Sequence, residues 1–357
     1  MKHFDYEEDF HARDRKQFRK ERRMAQKQDR SKFKKTDLAG EIKTEIPIDH
    51  LKRGRVVSIS GIGALVDFES NQSLCSLMGL MKKEMSQAKN LIAVGDWVRV
   101  NEEGGIVYVE ERTSILSRKD ISGRKEQLIA VNVDQVIIIA SVVTPPLKPA
   151  LVDRYLIAAE KGNLHPIVVI GKIDLLEKGS EEEKNRYQEF LKAYERLGIP
   201  ILSLSSHTKT GVDSLRALLQ NKTSVFSGQS GVGKSSLLNA CFGWSLKVGD
   251  LTIKTEKGSH TTSSATLIPL PGGGYCVDTP GIRSFGLWDL TKADVISHFS
   301  DIAVFAKKCK YPDCLHQKEP KCAVHRALEK GTLSKLRYES YTNLLDEVAT
   351  GHKHWSD

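Results

Sequence analysis

One segment of the sequence has the residue types and spacing of a phosphate-binding loop. It is the run Gly228, Gln229, Ser230, Gly231, Val232, Gly233, Lys234 and Ser235, with Ser236 directly after it. Glycines let backbone N–H groups turn towards phosphate oxygens. The lysine reaches the β- and γ-phosphates, and the hydroxyl that follows it ligates Mg²⁺. The segment therefore predicts a nucleoside triphosphate bound with Mg²⁺, with Lys234 and Ser235 as catalytic residues and Ser235 as a magnesium ligand.

Two loops that precede this segment carry groups suited to guanine. The first is Gly171, Lys172, Ile173 and Asp174, at the end of an apolar run where an N-K-x-D motif would lie. The Asp174 carboxylate can accept hydrogen bonds from two guanine groups that adenine lacks, and the Lys172 stem can cover the ring. Gly171 replaces the usual asparagine, so a side chain that contacts the base and braces the phosphate loop is missing. The alternative interpretation is a simple turn at a strand end.

The second loop is Ser205, Ser206 and His207, which follows the next predicted strand. It resembles the loop whose backbone N–H meets guanine O6. Both loops come before the phosphate loop in the chain, whereas in ordinary GTPases they come last. The sequence therefore predicts a circularly permuted GTPase site that binds GTP and GDP.

Downstream segments complete the predicted site. Asp278 and Gly281 form a D-x-x-G pattern, in which the carboxylate holds Mg²⁺ through water and the glycine N–H contacts the γ-phosphate. Gly258–Thr262 is a candidate switch, with Thr261 or Thr262 as a further magnesium ligand. Ile282 occupies the position where Ras-like enzymes use glutamine to orient water. His260 is the nearest polar candidate for that catalytic role, and the alternative is that it packs or contacts RNA.

A cluster near the C-terminus predicts a metal centre. Cys309, Cys314, His316 and Cys322 are spaced C-x₄-C-x-H-x₅-C. Three thiolates and one imidazole suit one tetrahedral zinc ion per chain in a closed structural site. Scattered free thiols are the alternative, and His325 is a spare, less favoured ligand.

Charge and hydropathy restrict the class of protein. The chain has 357 residues and a formal net charge of +9, and basic residues are concentrated between Arg13 and Lys35, within the first 47 residues. Such a basic tail favours an RNA partner, although it could be only a solvated tail. No apolar run reaches the roughly 18 residues of a membrane-spanning helix, and no secretory signal is visible. We therefore expect a cytoplasmic monomer with no membrane partner.

The predicted elements divide the chain into four parts. Residues 1–47 form a basic disordered tail, and residues 48–117 contain short strands with glycine turns, which favour an OB-fold barrel. That barrel could also be a packing module without RNA contacts. In residues 118–290 buried strands alternate with helices, which predicts a parallel α/β sheet in a P-loop GTPase domain. Residues 291–357 form a helical zinc-binding domain, so the fold class is multidomain α/β and β.

The combination resembles the ribosome small subunit-dependent GTPase A family, RsgA, also called YjeQ. The resemblance covers nearly the whole chain, from the basic tail and barrel through G-Q-S-G-V-G-K-S-S-L-L-N, G-x-H-T-T and D-T-P-G-I-R-S-F-G to the cysteine cluster. It implies a factor in late 30S ribosomal subunit maturation that binds 16S rRNA and whose GTPase activity the subunit stimulates. Gly171 is the departure from the family pattern.

Two other classes of protein compete with this interpretation. One is an RNA-binding assembly module in which the nucleotide is a poorly hydrolysed switch ligand. The other is a P-loop kinase of small molecules, which fits Lys234 and Ser235 but neither the barrel nor the cysteine cluster.

Overall fold

The structure is a computed structural model that describes residues 50–69, 71–77, 91–119, 126–245, 265–278 and 290–350. The chain divides into two compact units. The first contains the described residues 50–278, and the second contains residues 290–350. Every helix in these described ranges is too short or too polar to cross a lipid bilayer.

The first five strands form a small barrel. They are β1 (Lys52–Ser60), β2 (Gly63–Phe68), β3 (Asn71–Leu77), β4 (Trp97–Val100) and β5 (Gly105–Val109). Their order is β1-β2-β3-β5-β4, and β4 pairs back with β1, which closes the barrel. Alternate residues such as Val56, Val66, Val98 and Ile106 point inwards and form its core. The predicted barrel is confirmed, and the structure shows that it has five strands.

A two-stranded hairpin follows the barrel. It pairs β6 (Ile115–Lys119) with β7 (Glu126–Val131) in antiparallel register. The predicted domain boundary between residues 117 and 118 falls within β6. Asn132, directly after β7, donates to the carbonyl oxygen of Gly95 and accepts from the Thr113 backbone N–H. These bonds hold the hairpin against the barrel.

An α/β layer completes the first unit. Its strands are β8 (Gln135–Ser141), β9 (His165–Gly171), β10 (Ile201–Ser203), β11 (Thr223–Ser227), β12 (Thr266–Pro269) and β13 (Tyr275–Asp278). Its helices are α1 (Pro149–Lys161), α2 (Glu181–Glu195), α3 (Val212–Leu219) and α4 (Lys234–Phe242). Ser180 begins α2 with a capping box in which the Ser180 hydroxyl and the Glu183 carboxylate each accept the other's backbone N–H.

One continuous sheet joins this layer to the barrel. The strand order is β10-β9-β8-β11-β13-β12-β1, with parallel pairing from β10 to β13 and antiparallel pairing on both sides of β12. The apolar runs of β8 and β9 are buried on both faces, as their composition predicts. The carboxyl ends of the parallel strands meet at one edge of the sheet, where ligand sites form in such folds.

The second unit is helical. It contains α5 (Lys292–His298), α6 (Ser300–Ala306), α7 (Ala323–Glu329) and α8 (Lys335–Thr350), and the cysteine cluster lies between α6 and α7. Its core includes Phe299 and Tyr341, whose rings meet edge to face. Arg337 is 1% exposed, pairs with Asp301 and lies over the Phe299 ring. This arrangement keeps a buried charge paired.

Candidate nucleotide-binding site and metal centre

The predicted phosphate loop joins buried strand β11 to helix α4. Gly228 has a φ of 148°, and a Cβ at this position would lie 2.2 Å from the carbonyl oxygen of Ile139. Any other residue would collide with strand β8, so the sequence requires glycine here. Gly233, at a φ of 97°, is the residue that precedes the first turn of α4. The loop therefore ends at a helix N-terminus, where backbone N–H groups and the helix dipole favour a bound phosphate.

Lys234 and Ser235 occupy the first turn of α4. The Lys234 Nζ donates hydrogen bonds to the carbonyl oxygens of Gly228 (2.7 Å) and Gln229 (2.9 Å), so its ammonium group folds back over the loop. Ser235 is buried at 7% exposure. The other predicted loop residues, Ser230, Gly231, Val232 and Ser236, lie in the same loop or helix start. A lysine charge and a hydroxyl therefore lie at one loop, as phosphate binding with a divalent cation requires.

The first guanine loop lies beside the phosphate loop. Strand β9 ends at Gly171, Lys172 adopts a left-handed φ of 60°, and a short 3₁₀ helix, Ile173–Lys178, carries Asp174. The Lys172 Nζ donates to the carbonyl oxygens of Thr144 (2.5 Å) and Gly231 (2.6 Å). Burial lowers the pKa of this amine, which the nearby Asp174 carboxylate partly opposes. Lys172 thus connects the loop after β8, the guanine loop and the phosphate loop.

Gly171 faces the phosphate loop across a small space. A Cβ built on it would lie 3.5 Å from the carbonyl oxygen of Val232 and 3.6 Å from that of Ala140, which are ordinary contacts. A Cβ at this position would therefore fit between β8 and the phosphate loop, whose carbonyl groups line that space.

The second guanine loop packs against the first. The backbone N–H of Ile173 donates to the carbonyl oxygen of Leu204 at 3.3 Å. The buried hydroxyl of Ser205 accepts the backbone N–H groups of His207 (3.2 Å) and Thr208 (3.1 Å). These bonds fix a tight turn that carries Ser206 and an exposed His207. The structure therefore brings the two predicted guanine loops together.

Asp278 ends β13, the strand next to β11, so its carboxylate lies at the same edge of the sheet as the phosphate loop. The Ser235 hydroxyl at the start of α4 and the Asp278 carboxylate at the end of β13 are oxygen donors of the kind that Mg²⁺ prefers. The donor types of Ser235 and Asp278 therefore fit that ion. The predicted residues His260, Thr261, Thr262 and Gly281 lie outside the described residues.

Sequence reasoning missed one part of this site, the Thr144 carbonyl group. It lies in the loop after β8 and accepts the Lys172 ammonium group. The only sequence signal is a polar Thr144 followed by two prolines after a buried strand. Backbone acceptors carry no residue-type signature, so their role becomes visible only in the fold.

The four predicted metal ligands come together between α6 and α7. Cys309, Cys314, His316 and Cys322 offer ligand atoms that all lie within 4.8 Å of one another. The His316 Nδ1 lies 3.5 Å from the sulfur atoms of both Cys309 and Cys322. The cluster can hold one metal ion with a closed set of four donors.

Backbone N–H groups lie beside the sulfur atoms. Ala323 donates to the Cys309 Sγ at 3.3 Å. Burial raises the pKa of Cys314 and of Cys322, and the backbone N–H groups of His316 beside Cys314, and of His325 and Val324 beside Cys322, oppose that rise. Such bonds stabilise thiolates, which are the form that binds a metal. The residues therefore fit a thiolate-bound metal ion.

The loop around the ligands is held by polar side chains. The Glu319 carboxylate accepts the backbone N–H groups of Leu315, Gln317 and Lys318. The His316 carbonyl oxygen lies 2.9 Å from the His325 Nε2 and 2.7 Å from the Tyr338 hydroxyl. His325 thus supports a ligand rather than joining the four donors.

Comparison with known proteins agrees with these features. The family model described as RsgA GTPase matches residues 109–288. A relative from Chlorobaculum parvum, named small ribosomal subunit biogenesis GTPase RsgA, is 42% identical over 277 residues, which cover 74% of this chain and 87% of the relative. A relative from Vibrio parahaemolyticus, named small ribosomal subunit biogenesis GTPase RsgA 1, is 36% identical over 303 residues. That match covers 83% of this chain and 84% of the relative.

Solved structures give the same result. The crystal structure of YjeQ from Thermotoga maritima has a TM-score of 0.65 and 32% identity, and the match covers 85% of this chain and 99% of that one. A structure titled YloQ, a circularly permuted GTPase, has a TM-score of 0.62 and 29% identity over 87% of this chain and 100% of that one. The phosphate loop, the barrel and these matches together show that the chain belongs to the RsgA GTPase family and hydrolyses GTP.

Proposed function

We propose that this protein is a cytoplasmic, monomeric GTPase that acts late in the biogenesis of the 30S ribosomal subunit. It binds 16S rRNA and hydrolyses GTP to GDP and phosphate, with stimulation by the small subunit. The names of the relatives support the ribosomal role. The observation that carries the guanine-nucleotide assignment is Lys172, whose ammonium group bonds to the Gly231 carbonyl oxygen and so connects the guanine loop to the phosphate loop.

The proposed site divides the nucleotide between two sets of residues. Asp174 accepts two guanine N–H groups, Lys172 covers the base, and the Ser206 backbone faces O6, with Ile173 and His207 in the same loops. The phosphate loop surrounds the phosphates, where Lys234 neutralises charge that develops on the γ-phosphate. Mg²⁺, held by Ser235 and through water by Asp278, would supply further positive charge. Thr261 or Thr262 would complete that shell, and Gly281 would contact the γ-phosphate.

We assign the orientation of the attacking water to His260. Ile282 cannot form the hydrogen bond that glutamine forms in Ras-like enzymes, so intrinsic hydrolysis should be slow. A potassium ion is not the proposed substitute, because Gly231 occupies the position where potassium-activated GTPases place asparagine. The imidazole of His260 would reach the water once the small subunit orders the switch.

The remaining parts contact or support the RNA partner. We interpret the barrel, proposed domain 48–117, as an OB-fold, because its strand order and closure suit a five-stranded Greek-key barrel. The basic tail, residues 1–47, adds charge for a phosphate backbone. The GTPase domain spans residues 118–290. The zinc-binding domain, residues 291–357, holds one zinc ion per chain at the four-donor cluster.

GTP hydrolysis measured with and without purified 30S subunits tests this proposal. We expect slow turnover alone and strong stimulation by subunits. His260→Ala should lose the stimulated rate and keep GTP binding. Absence of stimulation would instead support an RNA-binding module in which the nucleotide is only a switch ligand. Full stimulated turnover in His260→Ala would assign water positioning to the ribosome instead.

A further inference from the structure

The strand that carries Asp278 contacts the barrel through its first residue. Tyr275 begins β13 and Asp278 ends it. The Tyr275 hydroxyl donates a hydrogen bond of 2.7 Å to the Asp67 carboxylate on barrel strand β2, across 208 residues of sequence. Because three strand steps separate Tyr275 from Asp278, the backbones of these two residues lie roughly 10 Å apart.

The other end of β13 is also joined to the barrel. Ser58 of β1 pairs with Thr266 of β12, and Thr266 pairs with Asp278. One row of the sheet therefore runs from the barrel to the carboxylate. The β12–β13 hairpin is therefore held to the barrel at both ends, by the strand pairing at Thr266 and by the hydrogen bond of Tyr275.

The Tyr275 ring covers a buried charge of the barrel. The Arg55 guanidinium carbon lies 5.0 Å from the centre of the Tyr275 ring and 5.2 Å from that of Trp97. The Arg55 Nη2 donates to the carbonyl oxygen of Asn132 at 2.7 Å. Burial lowers the pKa of Arg55, whereas burial and the bond to Asp67 raise the pKa of Tyr275 to about 12. Arg55 is buried and Tyr275 is half-buried at this junction, and these contacts restrict how Tyr275 can move.

We infer that Tyr275 is a positioning residue for the GTPase reaction, because its bond to Asp67 fixes strand β13 against the barrel and thereby sets the place of Asp278. The inference rests on the proposed role of Asp278. It also gives a route by which a partner on the barrel changes hydrolysis, because a shift of β2 moves Asp67 and Tyr275 together. A site group displaced by about 1 Å can lower a rate by about a hundredfold.

The experiment compares six variants of the full chain, of which four are single changes at Tyr275, Asp67 and Tyr194, one is the double variant Tyr275→Phe/Asp67→Ala, and one is Asp278→Ala. Tyr275→Phe removes one hydroxyl, and Asp67→Ala removes its acceptor. Asp67→Asn keeps a carbonyl oxygen that can still accept the hydroxyl, so it is the conservative variant. Tyr194→Phe is the matched control, because the Tyr194 hydroxyl also donates to an aspartate, Asp153, at 2.7 Å but lies on α2, away from β13.

Two measurements separate positioning from stability. The first uses a non-hydrolysable GTP analogue, whose affinity should increase as Mg²⁺ is added. It is the Mg²⁺ concentration at which half of this increase in affinity is reached. The second is kcat and KM for GTP at saturating Mg²⁺. In Tyr275→Phe and Asp67→Ala we expect the half-saturating Mg²⁺ concentration to rise and kcat to fall, each by about tenfold, with little change in KM. Asp67→Asn should keep a half-saturating Mg²⁺ concentration and a kcat close to those of the wild type. The double variant Tyr275→Phe/Asp67→Ala should be no more impaired than either single variant, because both changes remove the same bond.

The control and a benchmark make the outcome decisive. Tyr194→Phe should lower the free energy of unfolding and leave the Mg²⁺ dependence unchanged. If Tyr275→Phe behaves in the same way, the positioning role is wrong. Asp278→Ala is the benchmark for the proposed site. If Asp278→Ala has the Mg²⁺ dependence of the wild type, the role of Asp278 is wrong, and so is this inference. If Asp278→Ala changes the Mg²⁺ dependence but Tyr275→Phe does not, only this inference is wrong.

Discussion

Lys172 donates a hydrogen bond from Nζ to the carbonyl oxygen of Gly231 at 2.6 Å, and a second to Thr144. In the RsgA family pattern an asparagine precedes this lysine, and here Gly171 has no side chain to share the task. The Lys172 ammonium group therefore connects the proposed guanine loop to the phosphate loop.

Lys172→Met should weaken GTP binding. The methionine keeps an apolar stem for the base but loses the charged donor, and a charge-assisted hydrogen bond of this kind is worth about tenfold in affinity. Titration calorimetry with GTP and GDP measures the effect. Lys178→Met, on the adjoining 3₁₀ helix, is the control and should bind normally. Equal affinities in both variants would contradict the connecting role.

Gly171→Asn should tighten GTP binding. The Cβ would make ordinary contacts of 3.5 Å and 3.6 Å, and the amide could donate to the Val232 carbonyl oxygen. One such bond corresponds to a gain of about fivefold. Gly171→Ala adds the Cβ without the amide and should leave affinity nearly unchanged. A similar gain in both variants would show that reduced backbone freedom, not the amide, is responsible.

Asp174→Asn should reduce GTP affinity by about a hundredfold, because a carboxylate that accepts two guanine N–H groups is replaced by a group that also donates. Binding of xanthosine triphosphate should improve, since the new amide can donate to its 2-oxo group. Parallel titrations with both nucleotides measure the exchange of preference. An unchanged GTP affinity would remove Asp174 from the base site.

Lys234→Ala and Ser235→Ala should each lower GTP hydrolysis by about a hundredfold or more. Lys234→Ala removes the positive charge that stabilises the negative charge developing on the γ-phosphate, and Ser235→Ala removes a magnesium ligand. Phosphate release in the presence of 30S subunits is the measurement. Lys222→Ala, on the turn before β11, is a control that should keep its rate. Normal turnover in either site variant would show that the phosphate-loop assignment is wrong.

Cys309→Ser and Cys314→Ser should lose zinc, because three of the four donors cannot close the site. Elemental analysis of the pure protein should give about one zinc per wild-type chain. The helical unit of both variants should unfold at a lower temperature, as seen by circular dichroism. Cys75→Ser changes a buried barrel cysteine and should keep the metal. Wild-type protein that contains no zinc, and whose fold is unchanged after treatment with a chelator, would contradict zinc binding.

The sequence by itself determined the local chemistry. Gly228 to Ser235 and the four donors from Cys309 to Cys322 are short-range patterns, and their spacing alone fixes which atoms can meet. Apolar runs in β8 and β9 predicted buried strands because a strand covered on both faces has no polar side to alternate. Glycine turns among short strands likewise indicated the barrel.

Only the tertiary structure decided which distant groups meet. The residue pattern did not predict strands β3 and β12 or the hairpin of β6 and β7. The pairing of Ser58 with Thr266 has no local signature, since these two partners lie far apart in the chain. The contacts of Lys172 with a carbonyl oxygen, and of Tyr275 with Asp67, depend on side-chain direction at the ends of strands. Residue type specifies what a group can donate or accept, but folding chooses its partner, because packing of the whole sheet sets the register that brings the two together.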